Sequence, residues 1–581
     1  MITLGLNAAF HDTAAALVAD GVVVAASEEE RYTRIKHGKR PVPFSAWELP
    51  FHAIDDCLKQ AGCTLADVDH VAYSLDPRTF LGARTMPATI ELPLMPGAPA
   101  KGGWDGPWDP LFLAYVMNAP GQLVDGAPHH LRQRFALPDP ASPPWRWHYL
   151  DHHLCHQASA FLAAPFERCA VLTLDGRGER ATTTYGAWSP DGGYRPLGAV
   201  EMPNSLGILY EQVTTHLGFL HSSDEYKVMA LAALGQPTLR GALRDHVRVH
   251  DDGRYEIAPI DLERLSGPRR ERGSALEQRH FDLAASLQSV LEETVLKIAR
   301  WLRRASGEPN LAMAGGVALN CVMNGRLRDA AIFDRVWIQP AAGDAGTALG
   351  AALWVDATER GGPRRWEMRH AYLGPAFDDA AIEHALRWAR LPHRRCASDA
   401  ELADACAKLL ADDRILGWFQ GRMEFGPRAL GARSILASPL HADMQARLNE
   451  LKDREDFRPV APVVPKERFG DWFEGAARNG GESPFMLFVY DVAPDRAVRI
   501  PAACHADRTA RVQTVDASTN PRFHALLQAF GARTGVPVLV NTSFNVRGDP
   551  IVCTPRHAIE AFWSTPLDAL AIGSFIVEKR P

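Results

Sequence analysis

Long apolar runs are missing from this sequence. No stretch approaches the roughly 20 residues that a membrane-spanning helix needs, so an integral membrane protein is not expected. The opening MITLGLNAAFHDT has no basic start, apolar core and small-residue cleavage site. It is expected to be the first strand of a domain rather than a secretion signal. Cysteine is scarce: nine residues, scattered, with no C-x-x-C pair. That argues against a disulfide scaffold and a thiolate zinc site, and fits a reducing cytoplasm. An excess of basic charge is also lacking. The formal net charge is −6, which leaves no polyanion-binding footprint at the level of totals. No internal repeat at a fixed period is visible.

What is present is an ordinary globular composition, 46% hydrophobic and 23% charged, in 581 residues. That is too long for one core, and two domains are expected. The runs AAALVA and VVVAAS flank an Asp-Gly pair, a strong hairpin signal. The charged cluster Glu28 to Arg34 that follows reads equally as a solvated face. AVLTLDGRGERATTTYGAW predicts strand, glycine turn, strand, and FDLAASLQSVLEETVLKIARWLRRA a long amphipathic helix. NLAMAGGVALNCVMNGRL and RVWIQPAAGDAGTALGAALWV each predict strand, glycine loop, helix, the plan of a nucleotide-binding α/β domain. A linker is expected over TERGGPRRWEMRH, and a second domain beyond it with helix and strands around 399–411, ILGWF and VPVLVN. Residues 85–145 are rich in Pro, Gly and Trp and resist both helix and strand. They read as an inserted loop region over a cleft, a candidate acceptor-binding element, or equally as a surface excursion packed on its own tryptophans.

The stretch YLDHHLCHQASA places His152 and His156 four residues apart, on one face of a helix. His153 is expected to point away. Asp175 closes the run VLTLD and Asp344 sits in AAGDAGTALG, both at turns beside strands, where function collects in α/β sheets. Two imidazoles and two carboxylates make a mixed N/O set that suits Fe, Mn or Zn better than Ca. The glycine turns DGRGE (Gly176, Gly178), GGVALN (Gly315, Gly316) and GDAG let backbone N–H groups approach phosphate. Three in one domain point to a nucleotide.

Further motifs are NAAFHD, EEERYTRIKH, EYKVMALA, QGRMEFGPRALGARSIL, LKDREDFRPVAP, RTARVQTV and NTSFNVRGDPIV. With HHLCH, LDGRGE, GGVALNCVMNGRL and GDAGTALGAA they form an ordered series running nearly end to end. On these motifs the chain resembles the O-carbamoyltransferases that carbamoylate hydroxyls of secondary metabolites, the nodulation-factor, cephamycin and tobramycin type. The resemblance implies an α/β protein with an N-terminal ASKHA-type (actin/sugar-kinase-like) domain over residues 1–365 and a C-terminal YrdC-like domain over 366–581. It implies an iron held by His152, His156, Asp175 and Asp344. Nucleotide contacts are expected at Gly176, Gly178, Glu179, Gly315, Gly316, Asn320 and Lys227. The sequence departs from the family's EYKVMGLAPYG stretch with EYKVMALAALG. It keeps a single histidine, His11, in NAAFHD, and that residue is the candidate catalytic base; the competing reading is a hairpin histidine that only orients a neighbour.

In the second half, a phosphate with an attached carbonyl requires fixed cations and neutral donors. Arg422, Arg428, Lys452, Arg458, Arg511, Ser543 and Asn545 supply them. Surface pairing with neighbours such as Asp453 and Glu455 is the competing reading for any one of the cations. By resemblance Lys452, Arg458, Arg511, Ser543 and Asn545 match contacts to carbamoyl phosphate and carbamoyl-adenylate. The implied partners are carbamoyl phosphate, ATP with Mg²⁺ and a hydroxylated small-molecule acceptor, on a cytoplasmic monomer or homodimer. No nucleic acid or membrane is expected. The rival readings are a threonylcarbamoyl transferase acting on tRNA and a non-catalytic ATP-binding sensor.

Overall fold

The computed structural model describes residues 1–38, 48–81, 123–135, 137, 143–546 and 548–579. Most of the expected insert therefore lies outside the described residues; within it a helix over 123–134 is described. The chain forms two compact units, Met1–Ser159 with Asp344–Arg365, and Ala160–Gly343 with Trp366–Pro581.

The first unit is built on a sheet of β1 (Ile2–Asn7), β2 (Ala14–Ala19), β3 (Val22–Glu28), β4 (His70–Tyr73) and β5 (Arg146–Tyr149). Its strand order is β3-β2-β1-β4-β5. The first three strands form an antiparallel meander, and β4 and β5 run parallel to β1. The β2–β3 turn is Asp20-Gly21 at φ 49° and 84°, the two positive φ values that a two-residue hairpin requires. Leu4, Leu6, Leu17, Val71 and Tyr73 are buried in a core with Ile54 of the helix Phe51–Ala61. The helix Ala345–Arg360 packs on β1 where Gly5 has no side chain; a Cβ there would collide with the Ala348 carbonyl. Gly350 of that helix likewise admits the Cys155 carbonyl from the helix His152–Phe161. The charged cluster after β3 is not a solvated face: Glu28, Glu29 and Arg31 are buried. Arg31 donates from Nε and Nη2 to Glu28 Oε2 at 3.0 and 2.6 Å, and Glu29 Oε2 accepts the Ala53 N–H at 2.9 Å. The Phe51–Ala61 helix lies over this segment, so burial forces its charges to pair.

In the second unit, β6 (Cys169–Leu174), β7 (Ala181–Ser189), β8 (Gly193–Glu201), β9 (Asn310–Ala314) and β10 (Arg335–Ile338) form a sheet of order β8-β7-β6-β9-β10. Again three strands form an antiparallel meander, and β9 and β10 run parallel to β6. The two five-stranded sheets thus share one plan. The repeat is one of topology, with no constant spacing in the chain. The long helix is present as Gln278–Ser306. It buries Leu283, Leu287, Val290, Leu291, Ile298 and Leu302 on one face and ends at Gly307, φ 73°.

Residues beyond 366 in this unit contribute an eight-stranded mixed sheet. Its central strands are Leu416–Phe419, Arg433–Ala437 and Leu539–Ser543. Alternation with period two sends Leu416 and Trp418 to one core, with the helices Asp399–Ala411 and Pro521–Thr534. It sends Ile415 and Phe419 to the other, with the helix Pro555–Ser564. Among the described residues no helix is long and apolar enough to cross a membrane.

Candidate metal and anion sites

Within the first unit, the helix His152–Phe161 places His152 and His156 one turn apart, both fully buried. Asp344 stands immediately before the helix Ala345–Arg360. His152 Nε2 and His156 Nε2 lie 3.5 and 3.6 Å from Asp344 Oδ1. These separations exceed hydrogen bonds. Donors bound tetrahedrally at about 2.0–2.2 Å from one ion sit about 3.4 Å apart, so the set fits a shared cation. Ligand atoms of this group lie within 4.8 Å of one another. The His152 Nδ1 faces the Ser74 carbonyl at 3.2 Å, which leaves Nε2 to face Asp344. The Thr347 hydroxyl bonds the Asp344 carbonyl at 2.6 Å and Ser74 Oγ at 2.9 Å, fixing the turn. Burial alone would raise the Asp344 carboxyl. The imidazoles of His11 and His152 overcome it and hold the group well below the usual carboxylate range. His11 Nε2 is 4.0 Å from Asp344 Oδ2. His153 is buried but is not one of the grouped residues.

Asp175 belongs to the second unit, directly after β6, where its Oδ1 accepts the Gly316 N–H at 2.8 Å. The predicted glycine turns are there too. Gly315 adopts φ 92°, and a Cβ on it would strike the Leu174 carbonyl, so the close approach of the β6 and β9 ends requires glycine. Gly176 and Gly178 form the β6–β7 turn, with the Gly178 N–H donating to the Ala181 carbonyl at 2.9 Å. Glu179 is buried. Asn320 caps the helix Cys321–Asp329 through Met323 N and exchanges bonds with Gln288. Lys227 is already paired, 3.2 Å from Asp224 and 2.9 Å from Glu455.

The cations of the second half gather in this unit. Lys452 is buried, and its ammonium donates to Ser543 Oγ at 2.8 Å, to Asn545 Oδ1 at 2.7 Å and to the Ser543 carbonyl at 2.5 Å. All three partners are neutral. Burial, then repulsion from Arg454 and Arg458, lowers its pKa far below that of an ordinary lysine. Burial and the neighbouring Arg511 lower Arg428 to about 9. Arg454 is lowered to about 9 by burial, with Arg458 and Arg511 beside it. Among the described residues, one buried nitrogen on each of Arg428, Arg454 and Arg511 has no acceptor. Glu455 pairs with Arg458 at 3.6 Å as well as with Lys227, and Tyr226 covers Arg458 at 4.7 Å from the ring centre. Five cations held close together with so little acid make this cluster a candidate anion site. Arg422 donates to the Leu373 and Gly374 carbonyls at 2.6 and 3.3 Å. Arg454 was not singled out from the sequence, although the motif LKDREDF contains it.

The chain matches the family model for the carbamoyltransferase N-terminus over residues 2–80 and 146–353, and that for the carbamoyltransferase C-terminus over 407–579. The chain belongs to the carbamoyltransferase family. It is 38% identical to the nodulation protein NolNO of Sinorhizobium fredii, over 99% of this chain and 80% of that protein. It is 39% identical to an uncharacterized protein of Synechocystis, over 99% and 96%. To the 3'-hydroxymethylcephem-O-carbamoyltransferase of Amycolatopsis lactamdurans it is 36% identical, over 57% of this chain and 60% of that one. The protein is thus an enzyme of the carbamoyl-transferring class. The stretch left unmatched between residues 80 and 146 coincides with the Pro/Trp-rich insert.

Proposed function

We propose that this carbamoyltransferase makes carbamoyl-adenylate from carbamoyl phosphate and ATP, then carbamoylates a hydroxyl of a small-molecule natural product. The observation that carries the reading is the cluster of half-buried arginines around the buried Lys452, with its neutral partners Ser543 and Asn545. Water cleaves carbamoyl phosphate, so that inorganic phosphate leaves and carbamate remains. A carbamate oxygen attacks the α-phosphorus of ATP, pyrophosphate leaves, and the mixed anhydride remains. Both donors are polyanions, so Lys452, Arg428, Arg454, Arg458 and Arg511 balance charge that shifts onto the leaving groups. Mg²⁺ accompanies the triphosphate. We assign this stage to the YrdC-like region, residues 366–581.

The acceptor stage belongs to the ASKHA-type region, residues 1–365; its duplicated sheet plan supports that assignment. His152, His156 and Asp344 would hold an iron ion. Bound there, iron supplies Lewis acidity toward phosphate or hydroxyl oxygen. His11 Nε2 takes the proton of the acceptor hydroxyl, whose oxygen attacks the carbonyl carbon as AMP departs. Gly176, Gly178, Gly315 and Gly316 shape turns that let the nucleotide approach the main chain; the N–H groups of Gly178, Gly315 and Gly316 are already bonded within the fold. Acceptor choice resides in the insert.

The test is to mix enzyme with carbamoyl phosphate and ATP and assay pyrophosphate. A panel of hydroxylated natural products is then screened for the mass gain of one carbamoyl group. Pyrophosphate release that requires carbamoyl phosphate is expected, and its absence from folded enzyme contradicts the donor assignment.

A further inference from the structure

We infer that Asp12 and His37 are positioning residues that hold the His11 imidazole in one tautomer and one orientation. The inference rests on the reading of His11 as the base. The Asp12 carboxylate bridges two rings: Oδ2 lies 3.1 Å from His11 Nδ1, and Oδ1 lies 2.8 Å from His37 Nδ1. These are hydrogen-bond separations, shorter than those of donors sharing a cation. Each Nδ1–H therefore donates to the carboxylate. With its Nδ1 protonated, a neutral His11 keeps its lone pair on Nε2, the atom that faces Asp344 at 4.0 Å. His37 takes the second oxygen and fixes the carboxylate plane, so that the first stays aimed at His11. Burial would raise the Asp12 carboxyl, but His11 and His37 outweigh it and hold it ionised.

The backbone is committed to the same arrangement. Asp12 and His37 are both left-handed, φ 51° and 67°, a conformation that non-glycine residues seldom adopt and that collects at functional sites. The Asn7 amide donates to the carbonyls of His11 and Asp12 at 2.9 and 3.0 Å. Its own oxygen accepts from Ser74 Oγ at 3.0 Å, and Ser74 bonds Thr347 at the Asp344 turn. On the other side, the His37 N–H donates to Glu30 Oε2 at 2.8 Å and its carbonyl accepts the Thr13 N–H at 3.3 Å. His37 thus reaches Asp12 from a tethered loop, and the strained turn is bonded into the frame that carries Asp344.

The test uses full-length, metal-loaded enzyme, carbamoyl-adenylate, and the acceptor that scores highest in the hydroxyl panel. His37→Leu removes the donor to Asp12, whereas His37→Asn offers an amide N–H in place of Nδ1. Asp12→Asn cannot accept from both rings. His37→Leu and Asp12→Asn are expected to lower kcat about tenfold or more. KM for the acceptor, melting temperature and ATP–pyrophosphate exchange should stay near wild type, and His37→Asn should recover most of the rate. If His11→Ala abolishes transfer while His37→Leu and Asp12→Asn turn over normally, the positioning role is wrong and the base stands. Equal losses in His37→Asn and His37→Leu also overturn it, because shape rather than the hydrogen bond would then matter. If His11→Ala transfers at the wild-type rate, the base assignment itself fails.

Discussion

Two buried polar regions of this protein are built with opposite signs. In the first unit a carboxylate, Asp344, lies against the imidazoles of His152 and His156 and is held ionised chiefly by His11 and His152. In the second unit five cations crowd together, and among the described residues Lys452 leans on neutral oxygens. A carboxylate among lone pairs is completed by a cation; an ammonium among guanidiniums is completed by an anion. Each region keeps buried charge that a purely structural core would neutralise or omit. The difference supports the proposed division of labour, with the imidazole–carboxylate group as the candidate for a metal and the cation cluster as the candidate for phosphates.

The largest expected effect separates the two regions directly. Lys452→Met should lower carbamoyl phosphate-dependent pyrophosphate release by about 10³-fold, while transfer from pre-made carbamoyl-adenylate survives. His156→Ala should do the reverse, losing bound metal and transfer while ATP–pyrophosphate exchange continues. If either variant abolished both reactions in folded protein, the comparison would break.

A second way to sharpen it is pH. The folded-state pKa of Lys452 lies well below that of the unfolded chain. Between the two values the unfolded state binds more protons, so stability of the ligand-free protein rises with pH across that window. Binding of carbamoyl phosphate needs the ammonium and should weaken over the same window. Thermal-shift titrations with and without carbamoyl phosphate read both trends, and Lys452→Met should flatten them. A ligand-induced shift that grows with pH would oppose the assignment.

The smallest effect concerns Arg422, which shares a motif with Arg428 but bonds backbone carbonyls. Arg422→Met should cost about 1.5–3 kcal/mol of stability and leave the KM for carbamoyl phosphate within about twofold of wild type, because hydrogen bonds to the main chain act on folding rather than on ligand. A large rise in that KM would return Arg422 to the candidate anion site.

Much of this was legible from the chain. The Asp20-Gly21 hairpin, the strand–glycine–helix turns and the helix Gln278–Ser306 follow from local signals, period two, period 3.6 and glycine at φ > 0. His152 and His156 were legible because four residues make one helical turn. Other features depend on distance. The duplicated sheet plan is hidden because the segments between equivalent strands differ: β3 ends at Glu28 with β4 beginning at His70, whereas β8 ends at Glu201 with β9 beginning at Asn310. Asp12 and His37 were missed because they meet across 25 positions, and neither residue type in a turn signals a relay. The burial of Glu28, Glu29 and Arg31 was equally hidden, since a charge run looks the same whether its partner is water or a neighbouring helix.

The central claim, that the imidazole–carboxylate group holds a metal needed for transfer and not for donor activation, has a direct test. Protein purified without chelator should contain one metal ion per chain, absent from His152→Ala and His156→Ala. Stripping that ion should stop carbamoyl transfer, restorable with Fe²⁺, and leave carbamoyl phosphate-dependent pyrophosphate release intact. Full-rate transfer by metal-free protein, or loss of both reactions on stripping, would contradict the account.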